Sequence, residues 1–395
     1  MSNRINILIT LLGVFVFVSS CGKRTGYASV DMTAVDTICV DLKHHEELDR
    51  ESMIDWFEIV RLETKDNNII GNVSKLFVLD SVLIVVDQYQ ANNIYVFNRD
   101  GNYLNKISGV GNGPHEYLVL TDVAVYDNNV YIKDNMKRRI MVFDVDGTFI
   151  ETKKLNFQSE DMACFDEGMF SFSVNYKYYN ERETFGGASL LVTDKKLKPI
   201  YHFGEASRDD EFSYSPTNTF FKSGEGELLY YQLCNPFIYS IAKDSVKAKY
   251  YFEVSDNEFF TARFKDDEQF RKMTNNNAGF WGKFWEIKDF SCFQFIIPEG
   301  RREISSPLMI YDHTTKQTYY LSNQATTTAS FFFNEILTGC PDNVVACAYN
   351  ASFVAHYANV IKEQNGIDDV INFLNGLSAD SNPVIFFYKL KSPSK

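Results

Sequence analysis

The chain has 395 residues, 45% hydrophobic and 23% charged, with 34 Phe, 23 Tyr and 3 Trp against 9 Pro and 21 Gly. This usage excludes disorder, collagen and coiled coil, and the aromatic excess favours a β-rich fold, because flat rings pack well on a pleated sheet. A formal charge of −13 sets the chain's own field against nucleic acid, so no nucleic-acid partner is expected.

Arg4 precedes an apolar stretch from Ile5 to Val18, interrupted by Asn6, Thr10 and Gly13. A charged start and a short apolar run describe a secretory signal, too short for a comfortable membrane span. The run ends in Val18-Ser19-Ser20-Cys21, which resembles the lipobox of bacterial lipoproteins, where small residues before a Cys admit a lipoprotein peptidase. The resemblance implies a signal peptide over residues 1–20 and a lipid on the Cys21 thiol, hence a membrane partner. Gly22 stands where Asp resembles an inner-membrane retention signal, so an outer-membrane lipoprotein is expected, on either face. Residues 21–51 show little hydrophobic periodicity and are expected to be a tether. Residues 52–395 are expected to form one domain.

Six further cysteines, Cys39, Cys164, Cys234, Cys292, Cys340 and Cys347, are scattered without CxxC or metal-ligand spacing. Buried thiols are the expectation, with a Cys340–Cys347 disulfide as the alternative for that pair.

A repeat then defines the fold. Val82 to Ile107 and Val130 to Leu155 both run strand, Asp (Asp87, Asp134), polar loop, strand ending in Val-Phe, Asp-Gly turn and strand. The turns Asp100-Gly101 and Asp146-Gly147 hold the same place in each unit. An alternating strand precedes each, Val73 to Asp80 and Thr121 to Asp127. Four short strands per repeat at this period mark a β-propeller blade. Blade three is expected at Met162–Phe165, Met169–Val174, Ala188–Thr193 and Pro199–Phe203. Blade four is expected at Thr219–Lys222, Leu228–Leu233, Phe237–Ile241 and Lys249–Val254. Blade five should run from Phe290 to Leu321. A sixth begins around Thr328 to Phe333 and Asn343 to Tyr349. It is interrupted by helical spacing at Val354, Tyr357, Ala358 and Ile361, and at Ile367, Val370, Ile371 and Leu374, before a last strand, Val384 to Leu390. That strand should share a blade with the 330–350 region, and Phe57 to Leu62 should complete or brace the ring.

Leu62-Glu63-Thr64, Ile70-Gly71, the Gly-rich run from Gly109 to Tyr117 and the closing stretch Asn382 to Lys391 resemble landmarks of the six-bladed β-propeller lipoproteins of Gram-negative anaerobes. Those proteins are similar to NHL-repeat propellers. The resemblance spans residues 52–391 and implies an all-β, six-bladed propeller, an envelope location and a lipid anchor, but no activity. A short helical insertion in the last blade and a loop and helix insertion between blades four and five are expected from the patterns above.

Candidate site residues follow from the topology. In a blade of alternating strands, the second-to-third loops and the inter-blade crossings leave on one face, and the remaining turns on the other. The first face carries the long segments: Asn175 to Gly187, Gly204 to Pro216 and Ser255 to Asp289. Loops on a rigid scaffold are where binding residues concentrate. Tyr178, Arg182, Trp281 and Trp285 are therefore candidate binding residues, with a private aromatic core beneath a helix at Asp266 to Met273 as the structural alternative. His115 and Glu116 join them from the Gly-rich crossing. That crossing lacks the strand-to-helix context of a phosphate loop and is expected to be a tight bend at positive φ, braced by Glu116 and packed by Tyr117. Asp87 and Asp134 either cap the turns after them or ring the channel mouth as carboxylates. No GxSxG or HExxH occurs, and no catalytic residue, metal or cofactor is assigned.

The expected function is a non-enzymatic envelope binding module whose long-loop face takes a glycan or an envelope protein, since aromatic rings offer flat platforms with polar handles. The alternative is a propeller hydrolase or lyase with a metal in the central channel.

Overall fold

The computed structural model describes residues 26–107, 109–173, 187–204, 218–255, 258–260, 266–299, 304–322, 327–357, 374 and 376–393. An N-terminal run holds β1 (Gly26–Tyr27), β2 (Val30–Asp31), β3 (Asp36–Val40), β4 (Glu47–Leu48) and β5 (Ile54–Arg61). Blade one is β6 (Lys75–Val78), β7 (Val82–Asp87), β8 (Asn93–Asn98) and β9 (Tyr103–Lys106), and blade two is β10 (Asp122–Tyr126), β11 (Asn129–Asp134), β12 (Arg139–Asp144) and β13 (Phe149–Lys154). Blade three is β14 (Met162–Phe165), β15 (Met169–Ser173), β16 (Leu190–Thr193) and β17 (Pro199–Phe203). Blade four is β18 (Phe220–Lys222), β19 (Leu228–Tyr231), β20 (Phe237–Ile241) and β21 (Val246–Val254). Helix α1 (Asp267–Thr274) leads into blade five, which is β22 (Gly279–Glu286), β23 (Phe290–Pro298), β25 (Leu308–Asp312) and β26 (Gln317–Leu321), with the short β24 (Ile304–Ser305) paired to β23. A one-turn helix α2 (Thr328–Phe331) precedes blade six, whose order is β27 (Ile336–Cys340), β28 (Val344–Tyr349), β29 (Val384–Leu390) and then β5.

The chain is thus an all-β, six-bladed propeller, and its ring is closed by strands far apart in sequence. Along β29, Val384 faces Arg61 and Tyr388 faces Phe57, so β5 is the outer strand of blade six. This closure satisfies two strands that would otherwise be open edges. Asn382 locks the same corner: its side-chain amide donates to the Glu63 and Asn68 carbonyls and its Oδ1 accepts the Ile70 N–H.

The repeat has a backbone cause. In blades one to three the third and fourth strands slip register by a bulge next to their connecting turn, and in blade four by a bulge at Lys249, farther from the turn. In blades one and two that turn places Gly101 and Gly147 at φ 85°, a region costly for side chains. In blade three the same position is Leu197 at φ 64°. The geometry outlived the Asp-Gly pair, and so the sequence signal fades while the blade persists.

Three expectations are corrected. Residues 21–51 are not a tether over their described part. β1 pairs parallel with β17, β2 and β3 with β21, and β4 with β26, so the run from residue 26 to 48 straps the rims of blades three, four and five. Parallel pairing through backbone groups leaves little mark on side-chain pattern. Blade five begins at Gly279 rather than Phe290, because β22 is its innermost strand. Blade six does not begin at Thr328–Phe333: Thr327 caps the short helix α2 there, with a reciprocal Ser330 bond, and the inner strand is β27. The alternative disulfide is also absent. Cys340 and Cys347 are free and buried, and in the β27–β28 register Cys340 faces Val344 while Cys347 faces Ile336. The expected helical insertion in the last blade is seen at residues 351–357; its continuation falls outside the described residues.

Candidate functional site

The inner strands β6, β10, β14, β18, β22 and β27 surround a central channel holding a cavity of about 500 Å³. Each inner strand starts on the face bearing the inter-blade crossings and runs toward the face bearing the first-to-second turns. The wall is mainly apolar, with Leu76, Val123, Ala163, Phe220 and Leu337 among its members. At the turn-face end it is closed around by Leu79, Pro341 and the Gly224-Glu225-Gly226 bend.

The crossing-face end is charged. Lys75, the first residue of β6, gives its ammonium to Asp122 Oδ1 at 2.5 Å. Asp122, the first residue of β10, also accepts the Met162 N–H through Oδ2 at 2.6 Å, and so links blades one, two and three. Asp161, just before β14, accepts the hydroxyl of Thr219, just before β18, which links blades three and four. Lys133 lies beside this pair, wholly buried, and donates to the Ser159 carbonyl, the Ser159 hydroxyl and the Glu160 carbonyl at 3.0, 2.9 and 2.7 Å. Of these groups Lys75 lines the cavity; Asp122 and Lys133 are buried behind it, and Glu160 adds a further carboxylate beside Lys133.

Removal from water and mutual interaction set the protonation of these groups. Burial, reinforced by the Asp122 charge, holds Asp161 above the usual carboxylate range. Burial pushes the Lys133 ammonium down to about 8, against the pull of Asp122 and Asp161. Lys75 also loses water, but Asp122 and Asp161 outweigh that loss and hold its ammonium above the ordinary value.

A second recess of about 520 Å³ lies on the crossing face beside blade six, lined by Arg50, Asn334, Glu335, Tyr349 and Phe353. The rings of Tyr349 and Phe353 stack at 5.4 Å with an 11° interplanar angle, and Asn334 Oδ1 is buried there without a hydrogen-bond partner among the described residues.

The sequence-derived candidates fare differently. Asp87 and Asp134 do not face the channel mouth as carboxylates. Asp87 is wholly buried, accepting the Gly71 and Asn72 N–H groups through Oδ2 and Gln90 N–H through Oδ1. Asp134 does the same for Leu118 and Lys137. Each clamps a crossing to the turn after its strand, and its oxygens are spent on backbone. His115 is exposed but lies flat on Phe149, ring centroids 4.0 Å apart, which places it on the outer strand of blade two rather than at the channel. Glu116 braces its own loop by accepting the Gly113 N–H. The glycines there do not take positive φ: a Cβ on Gly109 would meet nothing within 4 Å, and one on Gly111 would meet Glu116 Oε2 at 2.1 Å, the movable end of an exposed side chain. Tyr117 is fully buried, as the packing expectation had it.

Trp281 and Trp285 are not loop anchors, because both lie on β22. Trp281 packs edge-on against Phe270 of α1. Trp285 is 6% exposed, donates its indole N–H to the Leu337 carbonyl at 3.2 Å and forms part of the channel wall. Phe259, Phe260, Phe270, Phe280 and Phe284 are buried in one core with blade four, so the aromatics of this segment are a private core. Tyr178, Arg182 and Cys21 lie outside the described residues.

Lys75, Asp122, Lys133 and Asp161 escaped the sequence reading. The available signal was positional: a charged residue opens the inner strand of blades one and two, a place where an apolar wall strand has no reason to carry one. Among the described residues no group of three or more His, Cys, Asp or Glu is placed to hold a metal ion.

A family model described as a domain of unknown function (DUF4934) matches residues 35–389. No curated protein matches the chain. Among solved structures, the chain is similar to an exported-protein candidate from Bacteroides fragilis, with a TM-score of 0.73 and 16% identity over 90% of this chain and 100% of that one. It is also similar to a member of the DUF4221 family from Bacteroides vulgatus, with a TM-score of 0.51 and 8% identity over 86% of this chain and 98% of that one. At such identities the likeness shows the fold alone.

Proposed function

The chain belongs to the DUF4934 family, whose description names no activity, and from the site itself we propose that it is a binding module of the cell envelope, held to the membrane by a lipid on Cys21. Its ligand enters the channel from the crossing face. The observation that carries this reading is an apolar cavity of about 500 Å³ lined at its crossing-face end by Lys75, whose ammonium pairs with the buried Asp122. A largely apolar pocket with a few convergent polar groups of shifted pKa is the usual form of a ligand site.

The Lys75–Asp122 pairing favours a neutral, hydroxyl-rich ligand, the end of a glycan. Sugar hydroxyls donate to Asp122 and Asp161 and accept from Lys75, while C–H faces lie against Met162 and Phe220. Tyr178 and Arg182, in the second-to-third loop of blade three, are proposed to extend the site. An envelope-protein segment is the competing ligand.

The test pairs a glycan panel with the double variant Lys75→Met/Asp122→Asn, which removes both charges and strands neither in the interior. Loss of hydrogen bonds to charged groups should weaken glycan binding about tenfold or more at a nearly unchanged melting temperature. Equal binding by the variant removes the mouth from the site. A panel without any glycan bound, beside binding to an envelope protein, replaces the ligand class.

A further inference from the structure

We infer that the rim of blades three and four, on the turn-face side, rests against anionic lipid headgroups, so that the ring stands edge-on to the membrane with the channel mouth clear of it. This rests on the lipid anchor at Cys21 and goes beyond it to the protein's orientation.

The first argument is chain length. Cys21 is five residues before Gly26, and Gly26 is already paired to Tyr201 on the outer strand of blade three. Five residues span at most ~18 Å. A lipid on Cys21 therefore holds this one rim close to the bilayer, whereas a 30-residue tether would have left the ring free to tumble.

The second argument is direction. β1 runs parallel to β17, Gly26 opposite Tyr201 and Tyr27 opposite His202. The chain therefore enters β1 from the end at which the turn Asp194–Lys198 opens β17. The matching turn of blade four is its neighbour, because Tyr201 Oη donates to the Ala242 and Ser245 carbonyls.

The third argument is charge. Lys195, Lys196 and Lys198 on the first turn and Lys243 and Lys247 at the second are all exposed. On the two outer turns and the strap they outnumber Asp31, Asp194 and Asp244, while Asp166 and Glu167 lie inward of them on the β14–β15 turn beside Lys195. Lysines near a bilayer are attracted by anionic headgroups. Tyr27 and Met32 on the strap beside them are 56% and 51% exposed, the kind of tips that sit at headgroup level.

The test uses the full lipidated chain in nanodiscs containing phosphatidylglycerol, labelled with a membrane-impermeant amine reagent and read by mass spectrometry. The released Cys21→Ser protein is the reference. The five lysines should label about fivefold more slowly on the membrane, as expected of ammonium groups drawn to anionic headgroups. Lys106 of blade one and Lys391 of blade six, both exposed, should label equally in the two states. Equal labelling of the five overturns the orientation, and protection of Lys391 to the same degree shows the ring lying flat instead. In phosphatidylcholine nanodiscs the protection should shrink; if it does not, the anionic headgroups are overturned as the partner. A Cys21→Ser protein that stays on membranes defeats the anchor itself, and the orientation falls with it.

Discussion

Among the described residues, blades one and two end in bare outer strands, whereas blades three, four and five each carry an added parallel strand from the strap. The difference follows side-chain chemistry. The outer strands β9 and β13 read YLNK and FIETKK and expose Lys106, Glu151, Thr152 and Lys154 beside Leu104 and Ile150, and such charges discourage an open edge from pairing with a neighbour. The covered strands hold Tyr201, Phe203, Tyr250, Phe252, Tyr320 and Leu321, all buried. An unpaired edge of that composition would be adhesive, and the strap supplies both the missing backbone partners and an apolar cover in Ile38 and Val40. The interiors differ in the same sense. The core between blades one and two is chiefly Val and Ile, with Ile84, Val86, Val130 and Ile132, while that between blades four and five is a stack of Phe rings.

The largest expected effect breaks both halves at once. Truncation after Ser381 removes β29 from between β28 and β5 and with it the buried Ile385, Phe386, Phe387 and Tyr388. The ring then has no closure, and the whole chain should lose its cooperative thermal transition. A truncated protein that melts like the full chain shows that blade six is an independent unit.

Next comes a chain beginning at residue 49, which lacks the strap but keeps β5. Exposing Ile38 and Val40 partners alone forfeits about 1.5–3 kcal/mol for each side chain. The opened edges of blades three to five should also cause concentration-dependent association, visible in sedimentation. If this protein stays monomeric and equally stable, the strap is a tether after all.

A single-residue version compares the two cores. Phe252 meets the rings of Phe260, Phe280, Phe293 and Phe295, and Phe252→Ala should cost about 3–5 kcal/mol in denaturant unfolding. Ile132→Val in the aliphatic half should cost about 0.5–1.5 kcal/mol. Similar losses at both would erase the distinction.

The two halves also differed in how far the sequence disclosed them. Blades one and two were legible because hairpin turns with Asp-Gly recur around alternating strands. β22, reading GFWGKFWE, was not: it is packed on both sides between blades, so alternation vanishes, and its glycines resemble a loop. The strap was hidden because three of its four parallel pairings are only two residues long, and all four are made by backbone groups. Asp87 and Asp134 stood out because they repeat, and they repeat because the same clamp holds the crossings into blades one and two. The channel-mouth charges do not repeat, which is what a ligand site on a repetitive scaffold looks like, and repetition was the signal being read.

The smallest expected effect lies at the seam between the halves, where Lys133 of blade two reaches the crossing into blade three. Burial holds its ammonium at about 8 in the folded chain, against an ordinary value of 10.5. Between those values the unfolded chain binds a proton that the folded chain does not, so this group makes stability rise with pH across that window. Below about 8 both states are protonated and the dependence vanishes. Urea midpoints of the wild type and Lys133→Met, measured from pH 7 to pH 10, isolate the effect, because other titrating groups are common to both. The stability of the wild type relative to the variant should be flat up to about pH 8, then climb by at most ~1.4 kcal/mol per pH unit. Parallel curves throughout would place Lys133 in contact with water, and the seam would then be as open as the bare edges of blades one and two.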